Sequence, residues 1–143
     1  MATQATYLTN VRSKLDETTS GQWSDAEIRS WINEAARDIA RRTETLQTYE
    51  EITVTANTQE YTLNDGCLRV HRVEWRPTAS SSVYPLEYRD FNSMDTVWWS
   101  SQTTSKGYPT FYTMWGYPPT LKIVLYPTPS EAGKLKVFFY QTA

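Results

Sequence analysis

Residues 23–54 read WSDAEIRSWINEAARDIARRTETLQTYEEITV, and the hydrophobic period changes inside this stretch from 3.6 to 2. Its first half carries a helix start. Ser24 and Glu27 stand three apart as a capping box, each side chain placed to satisfy the other's backbone N–H, with Trp23 and Ile28 flanking them as a hydrophobic staple. Ile28, Trp31, Ile32, Ala35, Ala36, Ile39 and Leu46 follow the helical period and define one apolar face, with Trp31 expected in the core. Arg29, Glu34, Arg37, Asp38, Arg41 and Arg42 occupy the other. A helix from Ser24 to about Gln47 has about 23 residues and runs roughly 35 Å. From Glu50 onward, Ile52 and Val54 alternate with Thr53 and Thr55, the signature of a strand.

Working outward, Leu8, Val11 and Leu15 recur at spacings of three and four and predict a short helix over about residues 4–17, broken by TTSGQ. Downstream, Tyr61 and Leu63 alternate with Thr62, and the intervening ANTQ reads as a hairpin loop. Asn64-Asp65-Gly66 is a turn signal. LRVHRVEW puts Leu68 and Val70 on one parity and Val73 and Trp75 on the other, so the strand is covered on both faces or a bulge re-aims it near His71. Asp90 can cap a short helix near residues 90–99 bearing Phe91, Met94, Val97 and Trp98. Phe111–Trp115, Leu121–Tyr126 and Leu135–Tyr140 read as strands. The last two read as a hairpin, with Leu121, Ile123 and Leu125 facing inward with Leu135, Val137 and Phe139. The expected fold is α+β in one domain, residues 1–143: an N-terminal helical hairpin with one long helix (1–49), packed with a C-terminal antiparallel sheet or sandwich (50–143).

The chain has 143 residues, a length suited to one domain, and 14% of them are aromatic, which argues against wholesale disorder. No apolar run approaches the ~20 residues of a membrane span. The start, MATQATYLTN, lacks the basic and apolar regions of a signal peptide. One cysteine, Cys67, permits no internal disulfide and no cysteine zinc cage, so the reading is of a protein made in a reducing cytoplasm. Formal net charge is −2, with 6 basic and 8 acidic side chains in residues 1–50 and 8 of each thereafter. Without a basic stripe, the footprint of a duplex-DNA reader is missing.

No catalytic, cofactor or metal set assembles from these residues. His71 is the only histidine and sits mid-strand between arginines; Cys67 reads as a small buried hydrophobe. There is no glycine-rich phosphate loop and no acidic calcium loop. The aromatics carry more information. Trp98, Trp99, Tyr108, Tyr112, Trp115 and Tyr117 are too many to bury together, and exposed aromatics mark contact surfaces. Arg37, Arg41 and Arg42 pair within their helix by spacing and suit its C-terminal dipole. Together, Arg37, Arg41, Arg42, Trp98, Trp99, Tyr108, Trp115 and Tyr117 are the expected subunit or partner contacts.

The stretch GYPTFYTMWGYPPTLKIVLYPTPSEAGKLKVFFY, residues 107–140, resembles bacteriophage head-to-tail adaptor (connector) proteins. The likeness rests on Gly107, Pro109 and Tyr112, then Gly116, then Ile123, Leu125, Pro127 and Pro129, then Leu135, Val137 and Phe139-Tyr140. The helix WSDAEIRSWINEAARDIA and the segments RVHRVEWRP and PLEYRDF extend it over nearly the whole chain. The resemblance implies a non-enzymatic ring of twelve copies beneath the portal protein, in the virion neck, facing a tail or nozzle protein and passing genomic DNA without reading it. The competing readings are another neck or tail ring, such as a stopper or tail-completion protein, and a carbohydrate-binding β-domain with tryptophan platforms.

Overall fold

In the computed structural model, which describes residues 2–17, 19, 21–93 and 106–142, the capping box at Ser24 is formed. The Glu27 amide donates to Ser24 Oγ at 3.3 Å, and the Ser24 amide donates to the Glu27 carboxylate at 2.9 Å. Donation to the Glu27 carboxylate from the Ser24 amide and, at 2.7 Å, from the Ser24 hydroxyl holds that carboxyl below its ordinary value; these reciprocal bonds cap the helix. They open helix α2, Asp25–Thr43, which follows α1, Gln4–Lys14. The chain forms two compact units, one ending at Thr45 and one spanning Leu46–Thr142.

In the first unit the two helices pack together around a charged clasp. Arg12 is the buried residue of α1. Its guanidinium donates from Nε to Asp25 at 3.0 Å and from Nη2 to the same carboxylate. It also donates to the backbone carbonyls of Trp23 at 3.1 Å and Thr19 at 3.3 Å, and to Glu17 at 3.5 Å. One planar fork thus ties α1, the connecting turn and the first turn of α2, a geometry that lysine cannot reproduce. Arg29 adds a bond to Gln4 at 2.8 Å.

Two expectations about α2 are corrected. It ends at Thr43, because Glu44 turns left-handed (φ 47°) and residues 47–49 are recruited into a sheet, where Gln47, Thr48 and Tyr49 pair with Tyr140, Phe139 and Phe138. The extended partner strand overrides helical periodicity. Moreover, only Ile28 and Ala40 of α2 are buried; Trp31 is 42% exposed and Ile39 59%. A short α1 whose buried contribution is an arginine does not cover an apolar stripe of that length. Trp23 meets Trp31 edge-on at 5.1 Å between ring centroids.

The second unit holds ten strands among the described residues: β1 Gln47–Val54, β2 Glu60–Thr62, β3 Cys67–Pro77, β4 Tyr84–Pro85, β5 Glu87–Tyr88, β6 Lys106–Gly107, β7 Phe111–Trp115, β8 Lys122–Tyr126, β9 Thr128–Pro129 and β10 Gly133–Gln141. One sheet has the order β1-β10-β3-β4 and a second the order β2-β8-β7-β5; β6 and β9 form a small parallel pair. Within the two larger sheets pairing is antiparallel, except between β5 and β7. Trp75, Leu135, Val137 and Phe139 from the first sheet share one core cluster with Tyr112, Ile123 and Leu125 from the second. With two helices followed by mostly antiparallel sheets, the fold class is α+β.

Both expected hairpins are replaced by crossings between sheets, although the inward-facing residues are those anticipated. β1 pairs with β10 over eight residues rather than with the three-residue β2, and Asn57, at φ 64°, anchors the crossing loop by donating to the Pro129 carbonyl at 2.8 Å. β8 and β10 likewise lie in different sheets, because Pro127 and Pro129 lack the N–H groups that would continue a ladder. Near His71 the bulge is real. Phe138 pairs with Arg72 and Phe139 with Val70, so His71 is the extra residue and the parity of β3 changes there. The turn at Asn64 is closed by its side chain, which accepts from the Gly66 amide at 2.8 Å. Of the helix expected near residues 90–99, Phe91–Ser93 form a 3-10 turn and residues 94–99 lie outside those described.

Gly133 is fixed by packing. A Cβ there would lie 2.4 Å from the Trp75 indole and 2.5 Å from the Arg76 carbonyl oxygen. Gly133→Ala is therefore expected to destabilise the β unit by about 1–3 kcal/mol through overpacking, measured by urea unfolding. Arg12→Ala is expected to cost about 1–3 kcal/mol through loss of its charge-assisted bonds, followed by far-UV circular dichroism, with Arg12→Lys recovering only part.

Candidate functional site

Alternation along β10 sends Leu135, Val137 and Phe139 into the core, so Lys134, Lys136, Phe138 and Tyr140 stand on the outer face of the first sheet. Cross-strand register adds Tyr49 and Glu51 from β1 and Arg69, Arg72, Glu74 and Arg76 from β3. The bulge adds His71. The rings of Tyr49 and Phe138 lie 5.8 Å apart, and His71 lies 5.3 Å from Tyr140 and 6.1 Å from Phe138. Lys136 Nζ sits 4.0 Å from the Tyr49 centroid and 5.2 Å from that of Phe138, and Arg69 lies 5.4 Å from Tyr140. These are cation–π distances.

The other end of the face is ionic. Arg72 pairs with Glu74 at 2.6 Å, Lys134 with Glu51 at 3.2 Å and Arg76 with Glu51 at 4.0 Å. Glu51, Glu74, Arg76, Val83, Lys134 and Lys136 line a recess of about 120 Å³. Among the described residues this end brings Arg72, Arg76, Lys134 and Lys136 together with Glu51 and Glu74. The face is aromatic at one end and ionic at the other, which suits contact with another macromolecule better than enclosure of a small substrate.

The residues singled out by sequence fall on separate surfaces. Arg37, Arg41 and Arg42 are exposed on α2, where Arg42 pairs with Asp38 one turn earlier at 3.0 Å. Arg37 and Arg41 flank a groove with Trp31, Glu34 and Ala35. Tyr108, Trp115 and Tyr117 belong to the second unit and are exposed, Tyr117 at 84%. The Tyr108 ring is 5.5 Å from Tyr84, and its hydroxyl hydrogen-bonds to Glu131, which raises the phenol above its ordinary 10.0. Trp115 stacks under Lys122 at 5.2 Å, and that lysine also pairs with Glu60. Tyr117 projects from a turn that Gly116 opens at φ 89°, where its carbonyl accepts from Thr120 N at 2.8 Å. Trp98 and Trp99 lie outside the described residues.

Sequence reasoning did not single out the sheet face. Its signal was present: Lys134, Lys136, Phe138 and Tyr140 occupy one parity of the last strand. Recognising the patch also required the β1 and β3 registers, which bring distant residues alongside. Elsewhere, burial pushes the Cys67 thiol up to about 11, which keeps it protonated and unreactive near neutrality. Among the described residues no cluster of three or more His, Cys, Asp or Glu could hold a metal ion, and no helix is long and apolar enough to cross a membrane.

The described surfaces carry exposed aromatic and charged side chains on both units. The family model described as SU10 adaptor protein matches residues 2–143, through both units, and the chain belongs to that family of phage head-to-tail adaptors, which are structural proteins. The chain has no match among curated proteins.

The Tyr108–Glu131 contact gives a local spectroscopic check. Glu131→Gln is expected to bring the Tyr108 phenol back toward its ordinary value, so that ultraviolet titration shows one tyrosine ionising at lower pH than in the parent. An unchanged titration would place the Tyr108 hydroxyl elsewhere.

Proposed function

We propose that this adaptor works as a ring of about twelve copies in the virion neck, seated on the portal protein and offering its distal face to a tail or nozzle protein. It is made in the host cytoplasm and lines part of the channel through which the genome passes. The observation that carries this reading is the family match over residues 2–143. Surface composition agrees with it. Trp31, Tyr49, Tyr108, Trp115 and Tyr117 are all at least two-fifths exposed, and large exposed aromatics are typical anchors of protein contacts. Arg37, Arg41 and Arg42 on α2, with Tyr108, Trp115 and Tyr117, are candidates for subunit or portal contact. A net charge of −2 per copy suits a wall that lets DNA slide, because each neutralised phosphate would add counterion-release free energy to the grip.

The test is to mix purified protein with purified portal and weigh the product by mass photometry. One portal carrying about twelve copies is the expected result, and a single copy per portal would refute the ring. Duplex-DNA titration is expected to give affinity no tighter than the ~10⁻⁴–10⁻⁶ M of non-specific binders at physiological salt. Submicromolar binding abolished by Arg41→Ala with Arg42→Ala would make the protein a DNA-gripping one instead.

A further inference from the structure

We infer that the basic, aromatic face of β1, β10 and β3 is a socket for a second copy of this chain, and that its occupant is the acidic turn between α1 and α2. The inference rests on the ring reading and names the surfaces through which neighbouring copies meet.

Charge identifies the occupant. Arg69 apart, the socket presents Arg72, Arg76, Lys134 and Lys136 against Glu51 and Glu74. An acidic partner complements that excess of positive charge. Residues 16–28 supply Asp16, Glu17, Asp25 and Glu27 and contain no lysine or arginine. Arg12 lies among these carboxylates, pairing with Asp25 and Glu17, and Lys14 closes the last turn of α1. The turn stays net acidic beside both.

Apolar chemistry agrees in kind and in spacing. Next to the acidic turn, Trp31 is 42% exposed and braced edge-on by Trp23. Glu27 and Trp31 stand one helical turn apart, about 5–6 Å between their Cβ atoms. On the sheet, Lys136 and Phe138 are two residues apart on one face, about 6.8 Å along the strand. A carboxylate and an indole can therefore meet an ammonium and a ring in the same order at nearly the same spacing. The two surfaces also differ from each other. A two-fold contact of the socket with itself would oppose like charges, whereas socket to turn is heterologous, the kind of contact that closes into a ring when repeated. A duplex-DNA backbone would satisfy the same cations but would have no use for Trp31 or the carboxylates.

The test uses the full chain assembling on its portal, with two charge-changing pairs that leave the Arg12 clasp, the Ser24 capping box and the proposed Glu27–Lys136 contact intact. Arg69→Glu with Arg72→Glu reverses the socket; Asp16→Lys with Gln22→Lys removes most of the turn's negative charge. Each pair is expected to melt near the parent temperature and to need at least about tenfold more protein for half-assembly, with the defect in the socket growing as salt is lowered. Combining both pairs should restore assembly to within about threefold of the parent. Zero-length carboxyl–amine crosslinking of a mixture of isotopically light and heavy parent chains should join Lys136 to Asp16, Asp25 or Glu27 of a different copy. Socket-reversed protein that assembles like the parent, or a combined variant no better than either pair, would overturn the contact. So would reversal that abolishes duplex-DNA binding while assembly is unchanged. If the parent forms no ring but the crosslink between copies is found, the contact stands and the ring reading falls; a ring without that crosslink has the opposite meaning.

Discussion

The indole of Trp75 fills the space where any side chain at position 133 would sit. Because Gly133 has none, the start of β10 lies flush against β3, with Gly133 opposite Pro77 and Leu135 opposite Trp75. A one-residue slip would bring Ala132 or Lys134 against the indole and turn every side chain of β10 to the opposite face. That register has two consequences. It keeps Leu135, Val137 and Phe139 in the core cluster, and it sets Lys136, Phe138 and Tyr140 outside, beside Tyr49 and the basic residues of β3. Core and contact surface are two sides of one strand, fixed by the same packing constraint.

The helical unit is held by different means. With only Ile28 and Ala40 of α2 buried, its organisation rests on the Arg12 fork and the capping box at Ser24. Directional bonds can define a turn without a large core, but they leave Trp31 and Ile39 facing solvent. In the proposed ring, a neighbour would supply the burial that a two-helix unit lacks. The β unit carries the packed core, and the helical unit carries exposed apolar surface.

Legibility from sequence followed the range of the interactions involved. The start of α2 was readable because Ser24 and Glu27 satisfy each other within one turn, and the bulge at His71 was readable because a change of parity is written along the strand itself. The end of α2 was not, since the segment after it, Gln47–Tyr49, pairs with residues about ninety positions later. The two missed sheet crossings have the same origin: proximity in sequence favoured β1 with β2 and β8 with β10, while the ladders run to more distant strands. Burial of Trp31 failed because periodicity reports an apolar face and does not report what covers it. Among contact candidates, the exposure of Tyr108, Trp115 and Tyr117 was legible from a surplus of aromatics. The patch formed by Tyr49, Lys136, Phe138 and Tyr140 exists only once three strands are in register.

The family match places the sequence among the adaptors, and its surfaces differ in chemistry: a basic and aromatic sheet face, an exposed helix and an acidic turn. The most direct measurement is a cryo-electron microscopy reconstruction of the virion neck without imposed symmetry. The ring reading predicts a closed ring of about twelve copies between portal and tail, and the socket contact predicts that the β1–β10–β3 face of each copy is covered by its neighbour. Density for a single copy would contradict the ring reading, and a closed ring in which that face is bare would contradict the socket contact alone.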